Sequence, residues 1–436
     1  MSSSNRRSWI KMTASGMASL SAISYLKAAG ANERLRVAVI GVGGRGRGHV
    51  TDWKSVPNVE LVSICDIDPN QIAAAMKLDG ALKSVADLRT ILDDKSIDAV
   101  SIATPDHWHA PAALLALEAG KHVYIEKPCA HNFREGQALV AAARKYNLRV
   151  QHGTQTRSSP FVAQAVQLLR EGLIGTVLVA KAWNVQRRGG IGHGQPSAPP
   201  TGIDYDTWVG PAPETPFQSN RFHYHWRWWY TFGTGDMGND GVHDLDVARW
   251  GLGVNALPAT VASIGGKYLY DDDQQFPDTQ TAIFEYPGDA KVGSTRQLIF
   301  EMRTWTRVSP FNTDNGCEFH GSNGTMLLSK GAKIQVLDAE KRPIPQERLP
   351  VVAPLSTPDH MRNFVAAVRE GTPLNAEIEV GFQSSALSHL GSISARVGRL
   401  LKFDPTAMQI SGDPEANQLL GREYRTAHWA TPKSLV

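Results

Sequence analysis

Six consecutive residues, Gly41-Val42-Gly43-Gly44-Arg45-Gly46, place glycines at the first, third and sixth positions. The first permits a tight turn, the next lets the backbone approach a pyrophosphate, and the last lets a helix pack close to the strand before it. The N-terminus of that helix then turns its N–H groups toward the phosphates. The chemistry this spacing supports is the holding of a dinucleotide. Asp66 ends the stretch VELVSICD (59–66), 20 residues after Gly46. A carboxylate there accepts from both ribose hydroxyls of the adenosine half and repels a 2′-phosphate, which favours NAD. Arg45 and Arg47 leave NADP open. Further along, GDMGNDGVHDLDVARW (235–250) carries His243 and Asp246, three apart and so neighbours on one helix face.

These groups need a frame. LRVAVIG (35–41) is a continuous apolar run, as expected of a strand buried on both faces. Asp68-Pro69 is a cap followed by a first-turn proline. The alternation then continues through a strand at 97–104, a helix at 108–120, a strand at 122–128, a helix at 132–147 and a strand at 149–155. Strands alternating with helices predict a parallel, doubly wound Rossmann-type sheet, with ligands bound beyond the carboxyl ends of the strands. Thr104, Pro105, His109, Glu126 and Lys127 all fall at such ends.

The pattern changes after Gln155. A long strand is expected at 176–186. A Gly- and Pro-rich loop, 187–202, has the composition of a lid. Strand-like runs at 259–269, 280–287, 292–303, 316–320 and 325–329 follow without long helices between them, which predicts a mostly antiparallel sheet. Asn323-Gly324 is the expected hairpin turn. Helices are expected at 357–371 and 380–401. The fold class is therefore α/β: a Rossmann domain over 32–155, then an α+β substrate-binding domain over 156–436 whose C-terminal tail is free to pack back on the first.

Residues 1–31 are set apart from this frame. A charged start, a short apolar stretch and the small-x-small site Ala29-Gly30-Ala31 read as a signal peptide. Arg6-Arg7 with Trp9, Ile10 and Lys11 resembles the twin-arginine signal, which exports folded proteins, and this predicts a periplasmic location. The segment holds four cations and no acid, so without it the net charge falls from +3 to about −1. That argues against nucleic acid or a membrane as partner of the mature chain. The three cysteines, Cys65, Cys129 and Cys317, form neither a disulfide framework nor a C-x-x-C metal site. His223, His225 and His243 fit no metal-ligand spacing, so no metal is expected.

The order GVGGRG, CD, ATPDHWH and GKHVYIEKP, with later stretches to about residue 430, resembles the Gfo/Idh/MocA family of NAD(P)-dependent sugar oxidoreductases. The resemblance implies a large open sheet in the second domain and, by analogy, a homo-oligomer. It places Lys127 beside the nicotinamide and the substrate hydroxyl, with Pro128 cis, and it lays Thr104, Pro105 and His109 along the cofactor. Together with Gly41, Gly43, Gly44, Arg45, Gly46, Asp66, Glu126 and Lys127 these make the cofactor set. The family's Asp-x-x-x-His pattern falls on Asn239 and His243, with Asp240 adjacent. Asn239 is a departure, because a neutral amide cannot raise an imidazole pKa as a carboxylate does, and Asp240 or Asp246 would have to take over. His243 is the expected base and Lys127 its partner at the reacting oxygen. Gln155, Arg157, Trp183, Tyr224, Arg227, Asn239 and Asp240 are candidates to hold a carbohydrate. The implied activity is hydride transfer from a secondary alcohol to a tightly bound NAD(P). One alternative is an NAD-dependent glycosidase or lyase working by transient oxidation, and another is a non-catalytic NAD sensor.

Overall fold

The computed structural model describes residues 34–289, 291–309, 311–329 and 333–435. The signal-like segment 1–31 lies outside them. The first domain runs β1 (Leu35–Ile40), α1 (Gly44–Lys54), β2 (Val59–Cys65), α2 (Pro69–Met76), β3 (Lys83–Val85), α3 (Leu88–Asp93), β4 (Ala99–Ile102), α4 (Asp106–Glu118), β5 (His122–Ile125), α5 (Phe133–Tyr146) and β6 (Val150–His152). Its six strands lie in the order β3-β2-β1-β4-β5-β6, all parallel. Polar side chains set the helix ends. Asp68 accepts from Asn70 N at 2.8 Å ahead of α2. Asn132 accepts from Glu135 N at 3.0 Å ahead of α5, and Asn147 closes α5 in the left-handed conformation. The strand expected over 149–155 stops at His152. There His152 N donates to Ala376 O, and beyond it Gln155–Ser158 turn into a 3-10 helix.

The second domain begins with α6 (Pro160–Arg170) and β7 (Val177–Val185), then α7 (Tyr205–Val209), α8 (Gly235–Asn239) and α9 (Gly241–Leu252). β8 (Thr260–Gly266), β9 (Thr279–Tyr286), β10 (Arg296–Arg303), β11 (Asn315–Gly321), β12 (Gly324–Ser329) and β13 (Lys333–Asp338) follow in succession. The chain ends with α10 (Thr357–Glu370), α11 (Ile378–Val397), β14 (Leu401–Asp404), β15 (Gln409–Ile410) and α12 (Pro414–Gln418). The nine strands are ordered β13-β12-β11-β7-β10-β9-β8-β14-β15. Only the central β7–β10 pair is parallel; the others are antiparallel. Strand β9 alternates buried and exposed residues, so one face of the sheet is covered by α9 and α11 and the other is left open.

Three details differ from the sequence reading. In the β11–β12 hairpin Gly321 pairs with Gly324, so the two-residue loop is Ser322-Asn323 rather than Asn323-Gly324. Gly324 is already in the strand, where an added Cβ would stand 2.2 Å from Leu337 O. Strands β13, β14 and β15 fall outside the expected runs. And α10, though late in the chain, packs Met361, Phe364 and Val365 into the same apolar cluster as Val37, Val39, Trp53 and Tyr124, and so covers one face of the first sheet.

Candidate active site

The cleft forms where β1 gives way to α1. Gly41 takes φ +83°, and its N–H donates to Cys65 O at 2.8 Å. A Cβ on Gly41 would come within 2.8 Å of the Ala103 backbone, and one on Gly46 within 1.8 Å of Gly41 O. These two glycines are thus fixed by the protein's own packing. Gly43 and Gly44 have no neighbour within 4 Å of a built Cβ, so that side is open. Helix α1 begins there with no side-chain cap and no acid in its first turn, which leaves its leading N–H groups for an anion. Asp66 stands across the opening. One carboxylate oxygen accepts from Val42 N at 2.8 Å and the other from Asp68 N at 3.0 Å. Burial pushes the Asp66 pKa up, and these two N–H donors oppose the shift. Open glycines, bare helix N-terminus and fixed carboxylate together fit the pyrophosphate and ribose of NAD. The cleft they line has a volume of about 240 Å³.

At its inner end the cleft reaches Glu126 and Lys127 after β5. Burial pushes the Glu126 carboxyl up, but Arg45 Nε at 2.6 Å, His49 Nε2 at 3.0 Å and the Lys127 charge outweigh it, and the group stays well below the ordinary carboxylate range. Arg45 therefore fastens α1 to β5 as well as lining the cleft. Lys127 Nζ donates to Asn239 O at 2.5 Å and to Asn239 Oδ1 at 3.1 Å. Burial lowers the Lys127 pKa, and the charges of Asp240 and Glu126 pull it back up. The Lys127–Pro128 peptide is cis. His109 places Nδ1 2.6 Å from Pro128 O and Nε2 2.9 Å from Thr104 O, joining the two strand-end loops.

Asn239 is itself held by Asp236, whose carboxylate accepts from Asn239 Nδ2 at 3.1 Å. Arg188, from the loop after β7, bridges Asp236 at 3.2 Å and also bonds Asp240. The position that the family pattern gives to an aspartate is thus an amide presenting oxygen to the lysine, while negative charge sits one residue further on. Asp106, buried at the start of α4, accepts from Thr234 Oγ1 at 2.6 Å, and burial raises its pKa. Arg227 is sandwiched between Tyr224 and Trp226, 4.4 and 4.3 Å from their rings, and donates to Tyr224 O.

Of the residues singled out in the sequence, Gly41, Gly43, Gly44, Arg45, Asp66, Thr104, Pro105, His109, Glu126, Lys127, Arg227 and Asn239 line this one cleft. Gly46 supports it from behind. His243 is half-buried in the first turn of α9, four residues past Asn239, and is outside the cleft wall. Asp246 does not fill the missing carboxylate's place: its oxygens are taken by Arg157 Nε at 2.8 Å and Ser384 Oγ at 2.6 Å. Arg157 is accordingly committed to that ion pair and to the Trp250 ring rather than to the cleft. Trp183 is buried against Phe311 and donates to Thr313 O. Gln155 lies in the 3-10 turn after β6, and Tyr224 is exposed beside Arg227. Sequence reasoning missed His49, Asp106, Arg188, Trp208 and Trp429. Asp106 lies inside a motif already marked, but the others carry no local spacing that gives them away.

Comparison with known proteins agrees with this geometry. A family model described as "Oxidoreductase family, NAD-binding Rossmann fold" matches residues 35–154, and one described as "Oxidoreductase family, C-terminal alpha/beta domain" matches 176–278 and 267–431. Levoglucosan dehydrogenase of Pseudarthrobacter phenanthrenivorans is 30% identical over 242 residues, 52% of this chain and 55% of that protein. The chain thus spans about half the length of that relative. D-apiose dehydrogenase of Paraburkholderia graminis is 23% identical over 85% of this chain and 90% of that protein. A glycosyl hydrolase family 109 protein of Shewanella pealeana is 31% identical over 34% of this chain and 35% of that protein. Among solved structures, levoglucosan dehydrogenase with NADH and levoglucosan superposes with a TM-score of 0.65 at 22% identity, covering 84% of this chain and 99% of that one. The WlbA dehydrogenase of Bordetella pertussis with NADH and UDP-GlcNAcA gives 0.66 at 21%, covering 85% and 99%. These two likenesses show a shared fold. With both of its domains matched, the chain belongs to the Gfo/Idh/MocA family of oxidoreductases with an NAD-binding Rossmann domain.

Proposed function

We propose that the protein oxidises a secondary alcohol of a sugar or sugar derivative. The observation that carries this reading is the half-buried Lys127, whose ammonium is held by Asn239 at the inner end of a dinucleotide cleft. NAD, when bound, supplies the hydride acceptor. The chain's own residues do the rest. The open glycines and the uncapped end of α1 hold the pyrophosphate, and Asp66 holds the ribose. Lys127 donates a hydrogen bond to the substrate oxygen and steadies the negative charge that grows there. We assign the hydroxyl proton to His243, one helical turn past Asn239, on the family pattern; it stands outside the cleft wall and would have to reach the substrate oxygen from beyond Asn239. Imidazole starts with a pKa of about 6.5, suited to a base at neutral pH. Arg227 and Trp226 form the facing wall, a cation and a flat ring on which a sugar can rest.

A second reading is favoured by the match to a family 109 glycosyl hydrolase: transient oxidation to a ketone, elimination of the aglycone across the neighbouring bond, addition of water to the double bond so formed, then reduction of the ketone. Both readings suit a protein exported already folded around its cofactor, the location we propose from the twin-arginine-like start. Among the described residues no helix is long and apolar enough to cross a membrane. The test is to add a panel of sugars and aryl glycosides to the purified protein and follow absorbance at 340 nm and released aglycone. A dehydrogenase reduces its nucleotide and needs an acceptor to turn over. A glycosidase releases aglycone with no acceptor. A sensor does neither, and that result would end both readings.

A further inference from the structure

The nucleotide cleft is completed by residues far from the Rossmann motifs. Trp429, in the segment after α12, lines the same cleft as Gly43, Asp66 and Leu88, and so do Trp208 of α7 and His223. The Trp429 indole is half-buried. Arg89 lies 4.5 Å from its ring, and Trp108 leans against it with centroids 5.7 Å apart.

The segment that brings it there is fastened to both domains. Arg422 Nη2 pairs with the buried Glu135 at 2.6 Å and donates to His107 O at 2.8 Å, and Tyr424 OH donates to Glu135 at 2.8 Å. Arg425 N donates to Pro211 O at 3.0 Å, and its guanidinium pairs with Asp206 at 2.6 Å. The α7 stretch is docked on α4 in turn. Trp208 O accepts from His107 Nε2 at 2.8 Å and from Trp108 Nε1 at 2.9 Å. Gly210 packs so closely that a Cβ would stand 2.3 Å from the Trp108 ring. His223 Nε2 meets Asp68 Oδ2 at 2.8 Å, two residues past the ribose-facing Asp66.

We propose that Trp429 contacts the bound nucleotide and that the C-terminal segment, docked on α7, is a strap that retains NAD in the cleft. The proposal rests on the cleft being the NAD site. An indole beside the cleft offers the adenosine half a stacking partner; such stacking is worth about five- to a hundredfold in affinity on alanine substitution. The strap's innermost anchors are a buried ion pair and buried hydrogen bonds, so opening it exposes Glu135 and Arg422 without their partners. Release is therefore slower than from an open cleft. A nucleotide held through successive turnovers must be reoxidised in place, which makes the overall chemistry redox-neutral.

The full chain is loaded with NADH and chased with excess NAD, and loss of protein-bound nucleotide fluorescence gives the release rate. Trp429→Ala is expected to release NADH at least about tenfold faster than wild type. Trp429→Phe, which keeps a flat ring, should restore most of the retention. Arg425→Ala, which loosens the strap without touching the nucleotide, should speed release by a smaller factor. Thermal melting of each variant without nucleotide separates release from unfolding; should Trp429→Ala fail to fold, the Phe and Arg425 variants decide. The strap is refuted if the folded Trp429→Ala and Arg425→Ala proteins release within twofold of wild type, or if wild type itself exchanges within seconds. A wild-type protein that binds no dinucleotide at all would instead overturn the reading of the cleft.

Discussion

Replacing Lys127 with methionine keeps most of the unbranched stem of the side chain and removes its charged end. In the structure Lys127 is half-buried, and its ammonium shares no carboxylate within ion-pair distance among the described residues and rests on the two Asn239 oxygens. The neighbouring Glu126 is already compensated by Arg45 and His49, so its balance survives the change. A full negative charge at hydrogen-bond distance, about 3 Å, from this ammonium gains about 5.5 kcal/mol at an effective dielectric of ~20. With roughly half the charge developed at the transition state, the loss is about 2.5–3 kcal/mol, or ~10²-fold in rate. The assay is a single turnover: NAD-loaded protein is mixed with its sugar and the 340 nm absorbance followed. Lys127→Met should slow this step ~10²-fold while nucleotide binding stays within a few-fold. Its pH profile should also lose a limb. Burial lowers the Lys127 pKa, so the wild-type rate should fall off on the alkaline side at a pH below that of an ordinary lysine, and the methionine variant should show no such fall. A rate within fivefold of wild type, with the alkaline limb unchanged, would refute the role given to Lys127.

Other outcomes follow from the same geometry. Gly46→Ala puts a Cβ into Gly41 O and should cost at least about 1–3 kcal/mol of stability, read by urea denaturation. Gly43→Ala meets nothing within 4 Å and should melt like wild type, yet bind NAD more weakly in a fluorescence titration. Asp66→Ala should weaken NAD binding and narrow the preference for NAD over NADP, measured by titrating both. His107 and His152 (about 3) and His360 and His389 (about 4) are held neutral by burial, with pKa values far below 6.5. The folded protein refuses protons that the unfolded chain takes up as pH falls below ~6.5, so this stability is present above that pH and lost on acidification. Between pH ~5.5 and ~4.5 four such groups make a slope of about 5 kcal/mol per pH unit, measurable as a collapsing denaturation midpoint.

The Rossmann half was readable because its signals are local. A buried strand, a glycine turn and an acidic strand end lie within about 30 residues, and each constrains the others. The cleft-lining residues from Gly41 to Lys127 came with it. The second domain was readable as a succession of strands, but β14 and β15 are short, and their places, like that of β13, are set by neighbours such as β8 and β12 rather than by their own pattern. Residues whose roles depend on long-range docking were not legible. Arg157 and Trp183 have the right chemistry for sugar contacts, yet tertiary partners absorb both: Asp246 for the one, Phe311 and Thr313 for the other. Arg188 reaches Asp236 and Asp240 from a Gly- and Pro-rich loop in which no spacing singles it out. Trp429 comes to the cleft through a segment that no periodicity singles out. The same holds for α10, which sequence order assigns to one domain and packing to the other.

The transfer of hydrogen itself can be watched with a substrate deuterated at the reacting carbon. After exposure to that sugar the protein is denatured and the released nucleotide weighed by mass spectrometry. Deuterium should appear in the reduced nicotinamide from the wild-type protein, and far more slowly from Lys127→Met and His243→Gln. A nucleotide that stays unlabelled with every sugar offered, or one labelled as fast in both variants as in wild type, would contradict the assignment of this cleft to alcohol oxidation by that pair of side chains.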